Sequence, residues 1–138
     1  MQLGHNSKID LIKQVPLFSS ASKAELAEIA TIADEIDLPE GRTLIEEGDA
    51  GREFFVLIEG TADVMRAGKK IASLGPGDFF GEIALIAKTP RNATITTTSP
   101  VRTLVITDRA FRQLLDHSPT IANGVLVALA ERLAPTTL

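Results

Sequence analysis

The chain contains no cysteine, which excludes disulfides, thiolate metal sites and cysteine nucleophiles together and makes a reducing compartment the expected setting. Histidine is nearly absent as well: His5 and His117 are the two in the sequence, and neither has a partner close by. Metal-dependent catalysis needs clustered imidazole and carboxylate ligands, and a serine–histidine–aspartate triad needs a histidine near a serine, so both are excluded and the histidines are expected on the surface. A phosphodiesterase role has as little support, and the chain is read as non-enzymatic, with no metal and no cofactor. No apolar run approaches the roughly 20 residues that span a bilayer. The opening MQLGHNSKID lacks the charged and apolar regions of a signal peptide, so a cytoplasmic protein without a membrane partner is expected. Basic residues are in deficit, with a net charge of −4, which argues against a nucleic-acid partner. A small anion could bind only where a local site overrides the global repulsion.

What is present is an ordinary globular composition, 44% hydrophobic and 23% charged, on 138 residues, which fits one domain with its own core. From Lys8 to Glu35, apolar residues including Ile9, Ile12, Leu26, Ile29 and Ala33 recur at helical spacing, and Pro16 splits them. Ser22 followed by Glu25 reads as a capping box, predicting a helix from about Lys23 to Asp34. Between Ile36 and Thr107, short apolar runs are punctuated by glycine or proline about every eight to twelve residues, an all-β texture. Strands are predicted at Thr43 to Glu46, Phe54 to Glu59, Ala62 to Arg66, Ile71 to Leu74, Ala93 to Thr98 and Val101 to Thr107. Such a set closes most readily into a jelly roll or small barrel. Asp108 is a good cap for a helix carrying Phe111, Leu114 and Leu115, and Ser118 with Pro119 starts a last helix to about Leu133. Two apolar stripes run along that helix, Ile121, Val125, Leu129 and Leu133 on one and Ala122, Leu126 and Ala130 on the other, so more than one face wants cover. Residues 1–15 are read as a helical lead and residues 16–138 as the domain proper.

The stretch that carries chemistry is Gly75 to Thr94, GPGDFFGEIALIAKTPRNAT. Its glycines permit close backbone approach, Gly81 to Ile86 reads as one or two helical turns, and Pro90 fixes a turn before Arg91. Unpaired amides at a helix start favour an anion, and Arg91, nine residues after Glu82, could clamp it with its fork of donors. Glu82 would repel that anion unless it meets a hydroxyl donor such as a ribose. One anion plus one sugar hydroxyl satisfies both, although a Glu82–Arg91 salt bridge or a solvated arginine fits the spacing as well.

Phe80, Gly81, Glu82, Ala84, Leu85, Pro90, Arg91, Ala93 and Thr94 resemble the phosphate-binding cassette of the cyclic-nucleotide-binding domain family. The likeness extends to Glu40-Gly41, to Ile45 through Asp49, to Phe54 through Leu57 with Gly60, to Leu74 through Asp78, and to the two closing helices. It covers about Pro16 to Leu133. The resemblance implies a mainly β fold, a jelly-roll β-barrel flanked by N-terminal and C-terminal helices. It implies a cyclic phosphate held by Arg91 and by backbone amides near Ala84, Asn92 and Ala93, with the amide of Gly81 or Ile83 assisting, and a ribose 2′-hydroxyl donating to Glu82. Thr94 and the strand after it are expected to line the pocket beside the base.

Two departures from the family pattern bear on the ligand. The position after the arginine is usually Ala, Ser or Thr, where threonine helps to hold guanine; here it is Asn92, and without the threonine cyclic AMP is favoured over cyclic GMP. At the end of the chain Pro135 stops helix propagation, leaving Leu129, Arg132 and Leu133 as the candidate lid over the base; Thr136 and Thr137 align with base contacts of the bacterial catabolite regulators. The expectation is a sensor that relays occupancy by moving its last helix to an effector protein the sequence does not identify. It would be free-standing or near-complete, since Met1 leads almost directly into the fold, and a monomer or a weak homodimer through that helix. The alternatives are a degenerate β-roll interaction module and a cyclic dinucleotide receptor. Intact Glu82 and Arg91 argue against the first, and the shortage of further cationic contacts against the second.

Overall fold

The computed structural model describes residues 5–133. The helical spacing at the start of the chain produces α1 (His5–Gln14) and α2 (Lys23–Ile32), separated by a 3₁₀ turn at Pro16–Phe18. Proline suits the first position of that turn because its missing N–H would have no partner there. The capping box forms as its sequence predicts: Glu25 N donates to Ser22 Oγ at 3.1 Å and Ser22 N to Glu25 Oε1 at 2.8 Å. The helix stops at Ile32 rather than near Asp34, because Asp34 already opens strand β1 (Asp34–Leu38).

Seven further strands follow: β2 (Thr43–Ile45), β3 (Glu53–Glu59), β4 (Ala62–Arg66), β5 (Lys69–Leu74), β6 (Phe79–Phe80), β7 (Thr94–Thr97) and β8 (Val101–Thr107). A short helix, α3 (Glu82–Ala87), lies between β6 and β7. The strands form two four-stranded antiparallel sheets, ordered β1-β8-β3-β6 and β2-β7-β4-β5. The jelly-roll expectation holds in this two-sheet form, and the ladders do not close into a barrel. β6 is two residues long and ends at a left-handed glycine, which leaves it too short to carry a ladder onward.

The sequence signals miss β1 and β6. DEIDL alternates poorly and is mostly solvent-facing, as befits an edge strand guarded by charge, and Arg102 on the neighbouring β8 reaches both Glu35 (3.2 Å) and Asp37 (2.9 Å).

β3 is buried on both faces. Phe54 and Val56 pack with Leu26, Ile29, Phe111 and Ile121 on the helix side, while Phe55 and Leu57 pack with Ile45, Phe80, Ile95 and Val105 between the sheets. This is why Phe54 through Leu57 reads as a continuous apolar run instead of an alternating one.

After β8 the chain enters α4 (Asp108–His117), capped not by Asp108 but by Thr107, whose extended backbone lets its hydroxyl accept from Ala110 N at 3.2 Å. Asp108 instead joins the first turn and binds Arg112 Nε at 2.6 Å. Ser118 caps α5 (Pro119–Leu133) by accepting from Ile121 N at 3.2 Å, and its hydroxyl donates to Glu25 Oε2, the carboxylate that closes the α2 capping box. One stripe of α5 is covered: Ile121 and Val125 are buried and Leu129 is half-buried against the helix-side core. The other is open, with Leu126 66% exposed. His117 is exposed as expected, yet it has a partner, since Glu28 Oε1 lies 3.5 Å from Nδ1. Among the described residues no helix is long and apolar enough to cross a membrane.

Candidate functional site

The turn between β5 and β6 forms because Gly77 adopts φ +89° and Asp78 Oδ2 accepts from Gly75 N at 2.8 Å. Gly77 N donates to Leu57 O at 2.7 Å and Leu57 N to Asp78 O at 2.8 Å, which fastens the turn to β3 and aims β6 at Gly81. There φ is +94°, and a Cβ would lie 2.8 Å from Glu53 O and 3.0 Å from Arg91 Nη1, so no other residue fits without displacement. The chain then turns directly into α3, placing the Glu82 carboxylate in its first turn at 1% exposure.

Arg91 is held from both sides of its own backbone. Its N–H donates to Asp49 O at 2.7 Å and its carbonyl accepts from Gly48 N at 2.8 Å, while Ala50 bridges Pro90. The side chain, 7% exposed, donates from Nη1 to Gly81 O at 2.8 Å and from Nη2 to Glu53 O at 2.7 Å. These bonds engage two of the guanidinium's five donors and tie the arginine to the segment carrying Glu82. Burial lowers the guanidinium from its ordinary value, and the charges of Glu53 and Glu82 raise it in opposition. It remains a cation at any physiological pH.

Between the two sheets this segment borders a cavity of about 540 Å³. Gly81, Glu82, Ala84, Arg91, Asn92 and Ala93 line one wall, and Val64, Arg66, Ile71, Ala72, Ser73 and Leu74 from the β4–β5 hairpin line the other. The first wall offers a fixed cation, a buried carboxylate and backbone close to both; the second offers mainly apolar surface. A ligand with an anionic group, a hydroxyl donor and a flat apolar part suits the arrangement. His117 is not on its wall, and the described residues contain no cluster of three or more acidic or imidazole groups suited to a metal.

Thr94 does not line the cavity. Strand alternation turns it the other way, and its hydroxyl accepts from Glu47 N at 3.0 Å, so the next residue, Ile95, takes the inward place. Asn92 is exposed at the rim, and its carbonyl accepts from Arg66 Nε at 2.8 Å. The lid expectation divides: Leu129 packs on the helix-side core and is absent from the cavity wall, whereas the side chains of Arg132 and Leu133 lie outside the described residues. Thr136, Thr137 and the side chain of Ile83 also lie outside them.

Three residues of the site went unrecognised in sequence. Glu53 contributes a carbonyl and a charge to Arg91. Gly51 leaves room for α3, since a Cβ there would meet Ala84 Cβ at 2.6 Å. Arg66 comes from a hairpin on the opposite wall. The pair of glycines at 48 and 51 was the one available signal for this loop.

Comparison with known proteins bears on these geometries. Residues 35–118 match the model of the family described as cyclic nucleotide-binding domain. The chain is 34% identical over 135 residues to a cAMP-dependent protein kinase regulatory subunit of Mycosarcoma maydis, covering 91% of this chain and 24% of that protein. It is 37% identical over 112 residues to a cyclic nucleotide-gated potassium channel of Mesorhizobium japonicum, covering 81% of this chain and 31% of the channel. Cyclic-AMP-bound PfPKA-R superposes on it with a TM-score of 0.84 at 27% identity, over 95% of this chain and 45% of the other. The chain thus spans a minor part of the length of each of these relatives.

Proposed function

The chain belongs to the cyclic nucleotide-binding domain family, and from that premise we propose that it is a non-catalytic sensor of a cyclic purine mononucleotide, with cyclic AMP preferred to cyclic GMP. The observation that carries this reading is the placement of buried Arg91 and buried Glu82 on one wall of a cavity of about 540 Å³. In this mechanism the remaining guanidinium donors of Arg91, with amides near Ala84, Asn92 and Ala93, hold the cyclic phosphate. The ribose 2′-hydroxyl donates to Glu82, and the base lies against Val64, Ile71 and Leu74. Similarity to a regulatory subunit named for cyclic AMP and to a structure holding cyclic AMP supports the choice of nucleotide. Asn92 in place of threonine supports it from the chain itself.

Occupancy is relayed through α5. Its open stripe, headed by Leu126, supplies apolar surface whose burial would differ between the liganded and unliganded states, and such a difference is what a ligand needs to shift an equilibrium. The effector is a protein that reads that difference.

Calorimetric titration with cyclic AMP, cyclic GMP and cyclic di-GMP tests the ligand. Cyclic AMP should bind most tightly, and Arg91→Ala should weaken it by about 10- to 200-fold, the equivalent of about 1.5 to 3 kcal/mol for a charge-assisted bond. Binding of the dinucleotide alone, or equal affinity in the variant, would refute the assignment. Hydrogen exchange over 121–133 tests the relay: saturating nucleotide should slow exchange there and leave the strands nearly unchanged. Equal protection in both states would make α5 a fixed part of the core.

A further inference from the structure

Among the described residues Arg66 is the one cation on the cavity wall besides Arg91, and the reading above gives it no role. Its place follows from strand register. β4 pairs with β7 so that Val64 faces Ile95 and Met65 faces Thr94, which brings Arg66, the last residue of β4, beside the point where the Arg91–Asn92 loop runs into β7. There its Nε donates to Asn92 O at 2.8 Å. That bond holds the guanidinium next to the cassette loop, and Arg66 lines the same cavity. The turn beyond it is tied down as well: Ala67 and Gly68 both take positive φ, and Ala67 N donates to Glu47 Oε1 at 3.1 Å. Arg66 therefore stands on a braced hairpin end.

The site has use for a second cation. Arg91 already donates to two carbonyls, and the opposing charges of Glu53 and Glu82 act on it, so part of its donor capacity is engaged before any ligand arrives. A cyclic phosphate carries a full negative charge and two exocyclic oxygens, and one partly engaged guanidinium approaching from the cassette side reaches them unequally. Lys70 on the same hairpin is paired with Asp63 at 3.3 Å and does not line the cavity. We propose that Arg66 is a second phosphate-binding residue: its terminal nitrogens contact the exocyclic oxygen turned toward the hairpin, while Arg91 and the cassette amides take the other. The assignment rests on the cyclic-mononucleotide reading above.

Phosphorothioate analogues of cyclic AMP separate the two oxygens, because sulfur replaces one of them in the Sp diastereomer and the other in the Rp. The wild-type chain, Arg66→Ala, Arg66→Lys and Arg91→Ala are titrated with cyclic AMP and with both diastereomers, and urea denaturation confirms that each variant is folded. Arg66→Ala should weaken cyclic AMP by about three- to fivefold, the scale for a partly solvated charge. It should also change the Sp to Rp affinity ratio by a similar factor. Arg66→Lys, which keeps the charge and loses the Nε bond, should recover most of the affinity. An unchanged diastereomer ratio in Arg66→Ala overturns the proposal, whatever happens to affinity, because a merely structural role would weaken both diastereomers alike. A shift in the cyclic GMP to cyclic AMP ratio without a diastereomer effect overturns it in favour of a base contact. If the wild-type chain binds and Arg91→Ala does not, either result removes Arg66 alone; failure of the wild type to bind any cyclic mononucleotide removes the functional reading with it.

Discussion

The two faces of β3 are filled in different ways. On the helix side Phe54 stacks on Phe111, with ring centroids 4.6 Å apart and planes at 19°, and tilts against Phe79 at 5.7 Å. Helices from both ends of the chain close over these rings. On the sheet side Phe55 stacks on Phe80 at 5.1 Å and 8°, but a few residues further the two sheets part around the cavity. The helix-side cluster is closely packed and holds the fold, whereas Ile45, Phe80 and Ile95 of the inter-sheet cluster also line the cavity that leaves room for a ligand. Substitution on the helix side should therefore register in stability, and substitution on the cavity side in binding.

Phe54→Ala probes the helix side and should have the largest effect. A fully buried phenylalanine truncated to alanine costs about 3 to 5 kcal/mol, read as a lowered urea midpoint at constant slope. A loss under about 1 kcal/mol would deny this side its structural weight. Gly51→Ala tests the boundary. The added Cβ meets Ala84 Cβ at 2.6 Å and Arg91 Cζ at 3.3 Å, so α3 or the arginine must shift. Overpacking of that kind costs about 1 to 3 kcal/mol, and affinity for cyclic AMP should fall even well below the melting temperature. Retained affinity at lowered stability would separate Gly51 from the site. The smallest effect belongs to Asn92→Thr on the exposed rim. Stability should stay within about 0.5 kcal/mol, while the cyclic GMP to cyclic AMP affinity ratio rises about fivefold, the worth of one hydroxyl bond of about 1 kcal/mol. An unmoved ratio places base selection elsewhere on the wall.

Much of this arrangement is legible in the amino-acid sequence, for reasons that are local. Ser22 and Glu25 announce a helix start because both halves of a capping box lie within four residues of chain, and Gly81 announces a conformation that other residues resist. Arg91 and Glu82 stand out through their place in a compact motif. What stays hidden depends on partners distant in sequence. β1 has the polar composition of a guarded edge, and β6 is defined by pairing with Phe55 and Val56 more than by its own two residues. Thr107 outcompetes Asp108 as a cap because the last residue of β8 is already extended. Gly51, Glu53 and Arg66 join the site only after the loop before β3 and the β4–β5 hairpin have folded around Arg91. The inward place of Ile95, rather than Thr94, likewise depends on which face of β7 meets the cavity.

The carboxylate of Glu25 has a consequence for how the molecule is made. One oxygen completes the start of α2 and the other accepts from Ser118, 93 residues later, at the start of α5. The apolar face of α2, with Leu26 and Ile29, meets Phe111, Leu114 and Ile121 in the same cluster. During synthesis from the amino end, α2 must therefore leave the ribosome with part of that face bare and wait until every strand has emerged before α4 and α5 complete its cover. Contacts so remote along the chain close slowly, and an apolar surface left open meanwhile is prone to aggregate. A nascent chain stalled before α4 should be a substrate for chaperones, whereas a completed one, with both helix starts latched through a single side chain, should not.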